Sequence, residues 1–396
     1  MTTPWTGSAD PRLICGPTTL ITHLKSPPLV IGDQDLRGPA TGVAHYSAAV
    51  TRALNSVGRA FQTIDAGTRG ATPQRAGRWA RAMRIGSRVA AWSGDKLCAP
   101  DIFREAQVYF DIWRRPLGLQ CDGPPGIVHW TYPVPLRIEG WQNVYTIHDT
   151  IPLDHRDLTP IPIRRYRRLL TKTIELADRI VTVSAAAQAD IERHFNPPPG
   201  FVVDLGEAVE INGERPKALP VGLVRRGYLL HCGTIEPRKN VVRLIKAWAR
   251  SGAGMPLVLA GPCGWRSGPI VAQADEAGAI RLDYLPRDAL LGLIAEARAL
   301  LMPSLAEGFG LPVAEAMALG TPVVTSRHGA LAETASGAAL AVDPTDEVAL
   351  ATAIRRVAMD DILCKRLRQA GLARAPAFSI AAFARRLAAF YNDQGL

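Results

Sequence analysis

The stretch PSLAEGFGLPVAEAMALGTPVVTS, residues 303–326, carries the strongest indication of the fold. A glycine loop, Gly308-Phe309-Gly310, precedes a pattern that predicts a helix over residues 311–319. A Gly-Thr-Pro sequence then ends the helix, and two valines begin a short buried strand. Glu307 precedes the loop and Glu315 lies within the helix. The stretch therefore predicts a loop leading into a helix, with a carboxylate on each side of the helix N-terminus.

Those two glutamates flank a place that attracts anions. Free N–H groups and partial positive charge at a helix N-terminus favour anions, phosphates among them. Because seven residues separate Glu307 from Glu315, one carboxylate can reach a ligand group at the mouth of the loop while the other reaches a group beside the helix. A nucleotide-sugar offers such groups, since it carries sugar hydroxyls, a diphosphate and ribose hydroxyls.

Predicted strands and helices alternate twice along the chain. Such alternation favours two doubly wound parallel sheets, in which ligands bind at the carboxyl ends of the strands. With two such domains, the cleft between them is the natural ligand site. The predicted strands are 28–33, 126–129, 144–148, 179–183, 228–232, 256–260, 280–282, 299–302 and one beginning at 323. The predicted helices include one that follows a glycine-rich turn within 38–54, and then 163–177, 240–251, 287–297, 311–319, 345–359 and 380–391.

The composition is that of a globular protein. The chain has 396 residues, of which 47% are hydrophobic and 21% charged. Its N-terminus lacks the basic start and apolar core of a secretory signal, and no apolar run reaches the roughly 18 to 20 residues that span a bilayer. The six cysteines include no C-x-x-C pair, which argues against a zinc site and a disulfide framework. We therefore expect a cytoplasmic protein without a bound metal.

The net charge of +10 suits an anionic partner, which could be a nucleic acid, an anionic lipid or an anionic substrate. No recognised nucleic-acid module occurs. Two arginine-rich stretches could contact anionic headgroups at the inner face of the plasma membrane, form solvated faces, or bind RNA. Their members are Arg75, Arg78, Arg81, Arg84 and Arg88, with Trp79, Met83 and Trp92 among them, and Arg164, Arg165, Arg167, Arg168 and Lys172.

The motif G-T-I-E-P-R-K-N, residues 233–240, places two cations between a predicted strand and a predicted helix. Arg238 and Lys239 would stand at a helix N-terminus, where they suit a diphosphate by charge and by hydrogen bonding. A glycine-rich loop at residues 38–44 precedes the first helix, and its glycines would let backbone N–H groups approach phosphate oxygens. The alternative for residues 233–240 is an exposed basic helix start. The alternative for residues 38–44 is a plain turn.

Histidines occur at the ends of two predicted strands. The sequence V-Y-T-I-H-D-T-I-P ends an apolar strand with His148 and Asp149, and V-H-W-T-Y-P contains His129. Polar side chains at the carboxyl ends of parallel strands are expected to line the ligand site. A buried, hydrogen-bonded histidine that caps the strand is the alternative for His148.

Together these motifs resemble those of retaining glycosyltransferases of family GT4. The pattern E-G-F-G-L-P-x-x-E-A-x-x-x-G-x-P-V-V-x-S is similar to the E-x7-E signature of that family, and the resemblance extends from about residue 28 to the last helix. It implies the α/β GT-B fold, with two Rossmann-like doubly wound parallel-sheet domains facing across a cleft. The implied parts are an irregular arm (1–27), an acceptor domain (28–205), a linker (206–226), a donor domain (227–378) and a C-terminal helix (379–396) that packs back on the acceptor domain.

The resemblance also implies a role for each matched residue. Glu307 would hold the hydroxyls of the transferred sugar, Glu315 would bind the ribose, and Lys239 would neutralise the leaving diphosphate. Thr234 stands where the family often has an arginine, and Arg238 would substitute for it. The other implied donor-binding residues are Gly42, Gly308, Phe309, Gly310 and Leu311. The implied catalytic residues besides Glu307 are His148 and Asp149. His129 would line the acceptor side, Tyr284 and Leu285 would lie near the base of the donor, and Glu333, in a loop beside the E-x7-E helix, would be structural or contact the ligand.

The E-P-R-K-N and H-D-x-x-P sequences resemble the subgroup that contains GDP-mannose-dependent mannosyltransferases of bacterial exopolysaccharide and O-antigen assembly. This implies transfer of mannose from GDP-mannose, without a metal or cofactor, to a glycan acceptor linked to polyprenyl diphosphate. The alternatives are a UDP-, ADP- or dTDP-sugar donor, a sugar-phosphate-using enzyme of the same architecture, and a non-catalytic or nucleic-acid-binding basic protein.

Overall fold

The computed structural model describes residues 29–32, 42–67, 75–211, 219–220 and 222–395. The predicted N-terminal arm, residues 38–41 of the first glycine-rich loop and part of the predicted linker lie outside this description, as do the side chains of Arg75 and Arg78. The described residues form two sheets, one in each half of the chain. The α/β class and the two doubly wound sheets predicted from the sequence are confirmed.

The described N-terminal half is built on a ten-stranded sheet with helices on its faces. Its elements are β1 (Leu29–Gly32), α1 (Gly42–Ser56), β2 (Gln62–Asp65), α2 (Arg75–Met83), β3 (Arg88–Ser93), β4 (Lys96–Cys98), α3 (Ile102–Trp113), β5 (Leu117–Cys121), β6 (Ile127–Trp130), β7 (Leu136–Ile138), β8 (Gln142–Thr146), α4 (Ile151–Asp154), α5 (Ile163–Leu176), β9 (Arg179–Thr182), α6 (Ala185–Phe195) and β10 (Val202–Asp204). The strand order is β10-β9-β8-β6-β1-β2-β4-β3-β5-β7. Strands β6, β1 and β8 pair in parallel, so their carboxyl ends meet at one edge.

The C-terminal half, as far as it is described, contains a six-stranded sheet in the order β13-β12-β11-β14-β15-β16. Its neighbouring strands pair in parallel. The strands and helices of this half are β11 (Leu229–Cys232), α7 (Val241–Ser251), β12 (Leu257–Ala260), α8 (Gly268–Glu276), β13 (Ile280–Leu282), α9 (Arg287–Glu296), β14 (Ala299–Met302), α10 (Leu311–Leu319), β15 (Val323–Ser326), α11 (Gly329–Ala335), β16 (Leu340–Val342), α12 (Glu347–Met359), α13 (Asp361–Arg374) and α14 (Ile380–Asp393).

A cluster of buried apolar side chains runs through both halves. It includes Ile31 and Tyr46 from the first half, Leu230 and Val313 from the second, and Phe383 from α14. Helix α14 packs against α1, and the rings of Phe383 and Tyr46 lie 5.9 Å apart in an edge-on arrangement. The shared cluster brings the carboxyl edges of the two sheets to opposite sides of one cleft.

Two arginines of the first arginine-rich stretch form ion pairs with acidic side chains. Arg81 and Arg88 donate to the two carboxylate oxygens of Glu105 at 2.8 and 2.5 Å, and Arg81 also pairs with Asp101. Glu105 is only 2% exposed. These two arginines therefore neutralise a buried carboxylate, and membrane contact by this stretch stays a prediction.

In the second stretch, Arg165 pairs with Asp111 and Lys172 with Glu175. None of the helices in the described part of the chain is long and apolar enough to cross a membrane.

Candidate active site

Glu307 lies between two cations at the mouth of the glycine loop. Lys239 donates from Nζ to Oε1 of Glu307 at 2.6 Å, and Arg238 donates from Nη1 to Oε2 at 2.6 Å. Burial acts to raise the pKa of Glu307, but Lys239 and Arg238 outweigh it and hold the pKa at about 2. Glu307 is therefore an anion at neutral pH, and its carboxylate lies between the two cations.

The two cations differ in how many of their donors are already engaged. Arg238 donates from Nε and Nη2 to Glu236 Oε1, and from Nη1 to the Ala306 carbonyl at 2.9 Å as well as to Glu307. Lys239 has three ammonium N–H donors, so it can hold Glu307 and a phosphate oxygen at the same time. Lys239 is thus the better placed of the two for a diphosphate, whereas Arg238 mainly fixes the carboxylate.

The loops that carry these groups are tied to each other. Arg238 and Lys239 lie on the 3₁₀ turn Pro237–Lys239 after β11, and the Arg238 carbonyl accepts the N–H of Leu305 at 2.9 Å. Asn240 ends the turn in the left-handed region, with φ of 60°, and its side chain donates to the carbonyls of Pro303 and Pro344. These bonds hold the cations and Glu307 in one fixed arrangement.

Glu315, the second glutamate of the motif, is paired with Arg287 at the start of α9. Its side chain is buried, which raises the pKa of Glu315, although Arg287 acts in the opposite direction. Arg287 also lines a cavity of about 230 Å³ between the two halves. The other lining residues are His45, Ala49, Arg52, Ala208, Glu210, Asp288, Leu291 and Leu311.

This cavity shows which residues sequence reasoning missed. Arg287 and His45 were not among the predicted site residues, because nothing in the sequence tells which helix start faces the opposite half. Burial first, and then Arg287 and Arg52, lower the pKa of His45 to about 4, so His45 is neutral at neutral pH. Leu311, predicted as a donor-binding residue, lines the cavity at the N-terminus of α10.

His148 and Asp149 lie directly across from the glycine loop. A Cβ atom on Gly308 would lie 2.5 Å from the His148 carbonyl oxygen, so only glycine allows the loop to approach this strand end so closely. His148 donates from Nε2 to the Thr131 carbonyl at 2.8 Å, and burial lowers the pKa of His148 to about 4. Its Nδ1 is therefore the unprotonated acceptor of a neutral ring. Asp149 accepts the N–H of Ile151 at 3.0 Å, and burial raises the pKa of Asp149.

His129 does not line the cleft, so its expected acceptor-side position is wrong. Strand β6 continues to Trp130, which leaves His129 inside the strand, fully buried and facing α14. Its ring nitrogens lie 2.6 Å from the Tyr391 hydroxyl and 2.8 Å from the Thr146 hydroxyl. Because burial lowers the pKa of His129 to about 3, it serves as a neutral hydrogen-bonding group in the core.

Four further predicted site residues differ in their surroundings. Gly42 is the first residue of α1, and a Cβ atom there would meet no atom of the described residues within 4 Å. Tyr284 is 56% exposed, while Leu285 packs on the shared core. The Thr234 methyl group lies 2.4 Å from where a Cβ of Gly264 would be, so the loops after β11 and β12 pack tightly.

The rest of the glycine loop is held by the core and by α11. Gly310 has a φ of 102°, which favours glycine at the start of α10. The ring of Phe309 lies edge-on to Phe378 at 5.7 Å, and its carbonyl accepts the Thr334 hydroxyl at 2.7 Å. Glu333, predicted to be structural or to contact a ligand, accepts backbone N–H groups of the opposite half.

Comparison with known proteins agrees with this geometry. Residues 223–374 match the family described as Glycosyl transferases group 1. The chain is 35% identical over 262 residues to O-antigen chain mannosyltransferase B of Escherichia coli, a match that covers 62% of this chain and 68% of that protein. It is 26% identical over 274 residues to Serotype-specific mannosyltransferase WbdA of Escherichia coli, covering 63% of this chain but only 33% of WbdA.

A solved structure shares the fold. Sucrose-phosphate synthase from Thermosynechococcus elongatus superposes with a TM-score of 0.68 at 19% identity, covering 93% of this chain and 99% of that one. The predicted GT-B architecture is confirmed by this likeness.

Proposed function

Because the chain belongs to the group 1 glycosyl transferases, we propose that it transfers mannose from GDP-mannose to a glycan acceptor with retention of the anomeric configuration. The observation that carries this proposal is the Glu307 carboxylate, held between Lys239 and Arg238 at the cleft. The mannosyltransferase name of the relative that is 35% identical supports the choice of sugar.

The cleft provides the charges that such a transfer needs. Lys239 and the N-terminus of α10 would neutralise the leaving diphosphate, so the reaction would need no metal and no cofactor. Glu307, kept ionised by its cations, would bind the sugar hydroxyls and stabilise positive charge on the ring in the transition state. The Glu315–Arg287 pair would meet the ribose, and His148 would orient the sugar or acceptor through its unprotonated Nδ1.

The acceptor in this proposal is linked to a membrane lipid, polyprenyl diphosphate, and the protein would act at the inner face of the membrane. A patch of exposed apolar side chains on α2 and the segment that follows supports this placement. Trp79 is 56% exposed, Met83 55%, Ile85 65% and Val89 76%, and exposed Arg84 lies among them. Apolar groups beside an exposed cation suit an anionic bilayer surface.

A thermal-shift panel tests the donor. A ligand that binds only the folded state raises the melting temperature. We expect GDP and GDP-mannose to raise it, and UDP, ADP, dTDP and their sugars to leave it unchanged. A selective response to another nucleotide would replace mannose by that donor's sugar, and a response to sugar phosphates alone would favour a phosphate-using enzyme.

A transfer assay then tests the activity itself. Purified protein with GDP-mannose and a mannose-terminated oligosaccharide should release GDP and extend the glycan, and NMR of the product should show the α anomer. An extended glycan with the inverted anomer would contradict the retaining mechanism. Absence of transfer together with absence of nucleotide binding would leave the non-catalytic alternative.

A further inference from the structure

The start of helix α6 in the N-terminal half is bonded directly to the glycine loop of the opposite half. Ser184, the residue before α6, donates from Oγ to the Gly308 carbonyl at 2.7 Å. One residue further on, the backbone N–H groups of Ala185 and Ala186 donate to the two carboxylate oxygens of Glu333 at 3.0 and 2.9 Å. Two side chains, one from each half, thus join the halves beside the predicted donor site.

Both residues are held in place within their own half. Ser184 is 1% exposed, and its Oγ also accepts the N–H of Ala187 at 3.1 Å, as a helix cap does. Glu333 lies on α11, and the next residue, Thr334, donates its hydroxyl to the Phe309 carbonyl of the same glycine loop. Each half therefore presents a preorganised partner to the other.

The contacts act on the glycine loop that follows Glu307. Gly308 follows Glu307 directly, and its backbone already lies against the His148 carbonyl. The Ser184 bond fixes the direction of the Gly308 carbonyl, and the Glu333 carboxylate satisfies helix N–H groups that would otherwise require water. These bonds form only when the two halves are in contact, so they stabilise the closed cleft.

We propose that Ser184 and Glu333 form an interdomain clasp, in which both are positioning residues that hold the Gly308 loop and so set the affinity for the donor. The affinity part of this inference rests on the proposed function, whereas the closure part does not. Apparent affinity falls with the fraction of molecules in the binding-competent state. Loss of the clasp therefore raises the KM for the donor and leaves the chemical step in the closed complex nearly unchanged.

Ser184→Ala and Glu333→Ala test the clasp. From the usual worth of one hydrogen bond, each variant should raise the KM for the donor by about 3- to 10-fold with kcat changed by less than about 2-fold. Small-angle X-ray scattering should give a larger radius of gyration for each free variant than for the wild type. Ser184→Thr keeps the hydroxyl and should restore both values.

Ser379→Ala is the matched control, because Ser379 caps α14 in the same way but its hydroxyl donates within its own segment, to the Pro376 carbonyl. It should lower the melting temperature without changing the KM or the radius of gyration. The clasp is disproved if the Ser184 and Glu333 variants behave like this control. The scattering result decides the closure part even if no sugar nucleotide proves to be a substrate, so failure of the proposed function remains distinguishable.

Discussion

Lys239 and Glu307 satisfy each other in the free protein, at an Nζ–Oε1 distance of 2.6 Å. Removing Glu307 leaves Lys239 without this partner, whereas removing Lys239 leaves Glu307 paired with Arg238. Either change removes a charge that the proposed transition state needs. We predict that Lys239→Ala and Glu307→Ala each lower kcat by about 100-fold or more, as loss of a transition-state electrostatic group commonly does. Steady-state assays with GDP-mannose measure this, with circular dichroism to check the fold.

Lys246→Ala is the control for that prediction, since Lys246 lies exposed on α7 and carries the same charge. It should retain wild-type kcat. Near-normal turnover in either the Lys239 or the Glu307 variant would show that the substituted residue is not needed for the proposed reaction.

Glu207, which precedes the cavity-lining Ala208, makes stability depend on pH. It is 4% exposed, and its Oε1 has no hydrogen-bond partner among the described residues. Burial, and then the Glu315 carboxylate, raise the pKa of Glu207 well above 4.5, although Arg287 acts to lower it. The folded state therefore holds this proton more tightly than the unfolded state does, and the resulting stability is lost as the pH rises through the folded pKa.

We predict that Glu207→Gln removes this loss. Urea unfolding should show that the free energy of unfolding of the variant, relative to the wild type, increases from about pH 5 to about pH 8. Glu175→Gln, at an exposed carboxylate paired with Lys172, should show no such trend. Parallel profiles for Glu207→Gln and the wild type would mean that Glu207 carries no raised pKa.

His129 and His148 show how far the sequence predicts individual site residues. Both lie at or near strand ends in apolar segments, yet only His148 lies beside the glycine loop, with its carbonyl oxygen against Gly308. The difference comes from β6 continuing one residue past His129, and from α14, more than 250 positions away, supplying the Tyr391 hydroxyl. The local sequence pattern indicates which residue types end a strand. It gives no information about the distant helix α14, which covers His129.

Among the elements, those of the C-terminal half were predicted best. The predicted bounds of β14 and α10 agree with the structure. A continuous apolar run marks β14, the glycine loop marks the start of α10, and the Gly-Thr-Pro sequence marks its end. Strands β3 and β4 were missed, since their burial is low and they form a short antiparallel pair within an arginine-rich segment. Arg81 and Arg88 looked like a solvated stripe because Glu105, their partner, lies on a later helix.

The exposed apolar patch on α2 and the segment after it allows a test of membrane contact. We predict that Met83→Glu and Ile85→Glu together lower cosedimentation with phosphatidylglycerol vesicles by about 10-fold, because both side chains would lose burial in the bilayer interface and add repulsive charge. Arg81 is unsuitable for this test, since reversing its charge would leave Glu105 unpaired.

Ile362→Glu is the matched control for the patch, because Ile362 is 85% exposed on α13 in the other half. It should leave vesicle binding unchanged. Equal binding by all three proteins would show that the patch does not meet the membrane.

At the scale of the whole molecule, we expect the shared apolar cluster to couple the unfolding of the two halves. Phe383 is fully buried in this cluster, and its ring meets Tyr46 of α1 although the two residues are more than 300 positions apart. Truncating a buried phenylalanine to alanine costs about 3 to 5 kcal/mol. The loss in Phe383→Ala falls on the contact between α14 and α1 rather than on the centre of either sheet.

We therefore predict that differential scanning calorimetry shows one transition for the wild type and two for Phe383→Ala, the earlier one belonging to the N-terminal half. Ile245→Ala is the control, because Ile245 is buried in a cluster confined to the C-terminal half. It should move the wild-type transition to lower temperature without splitting it. If Phe383→Ala also unfolds in a single transition, cooperativity between the halves must come from the cleft contacts around Gly308 instead, and the Ser184 variants should then be the ones that split it.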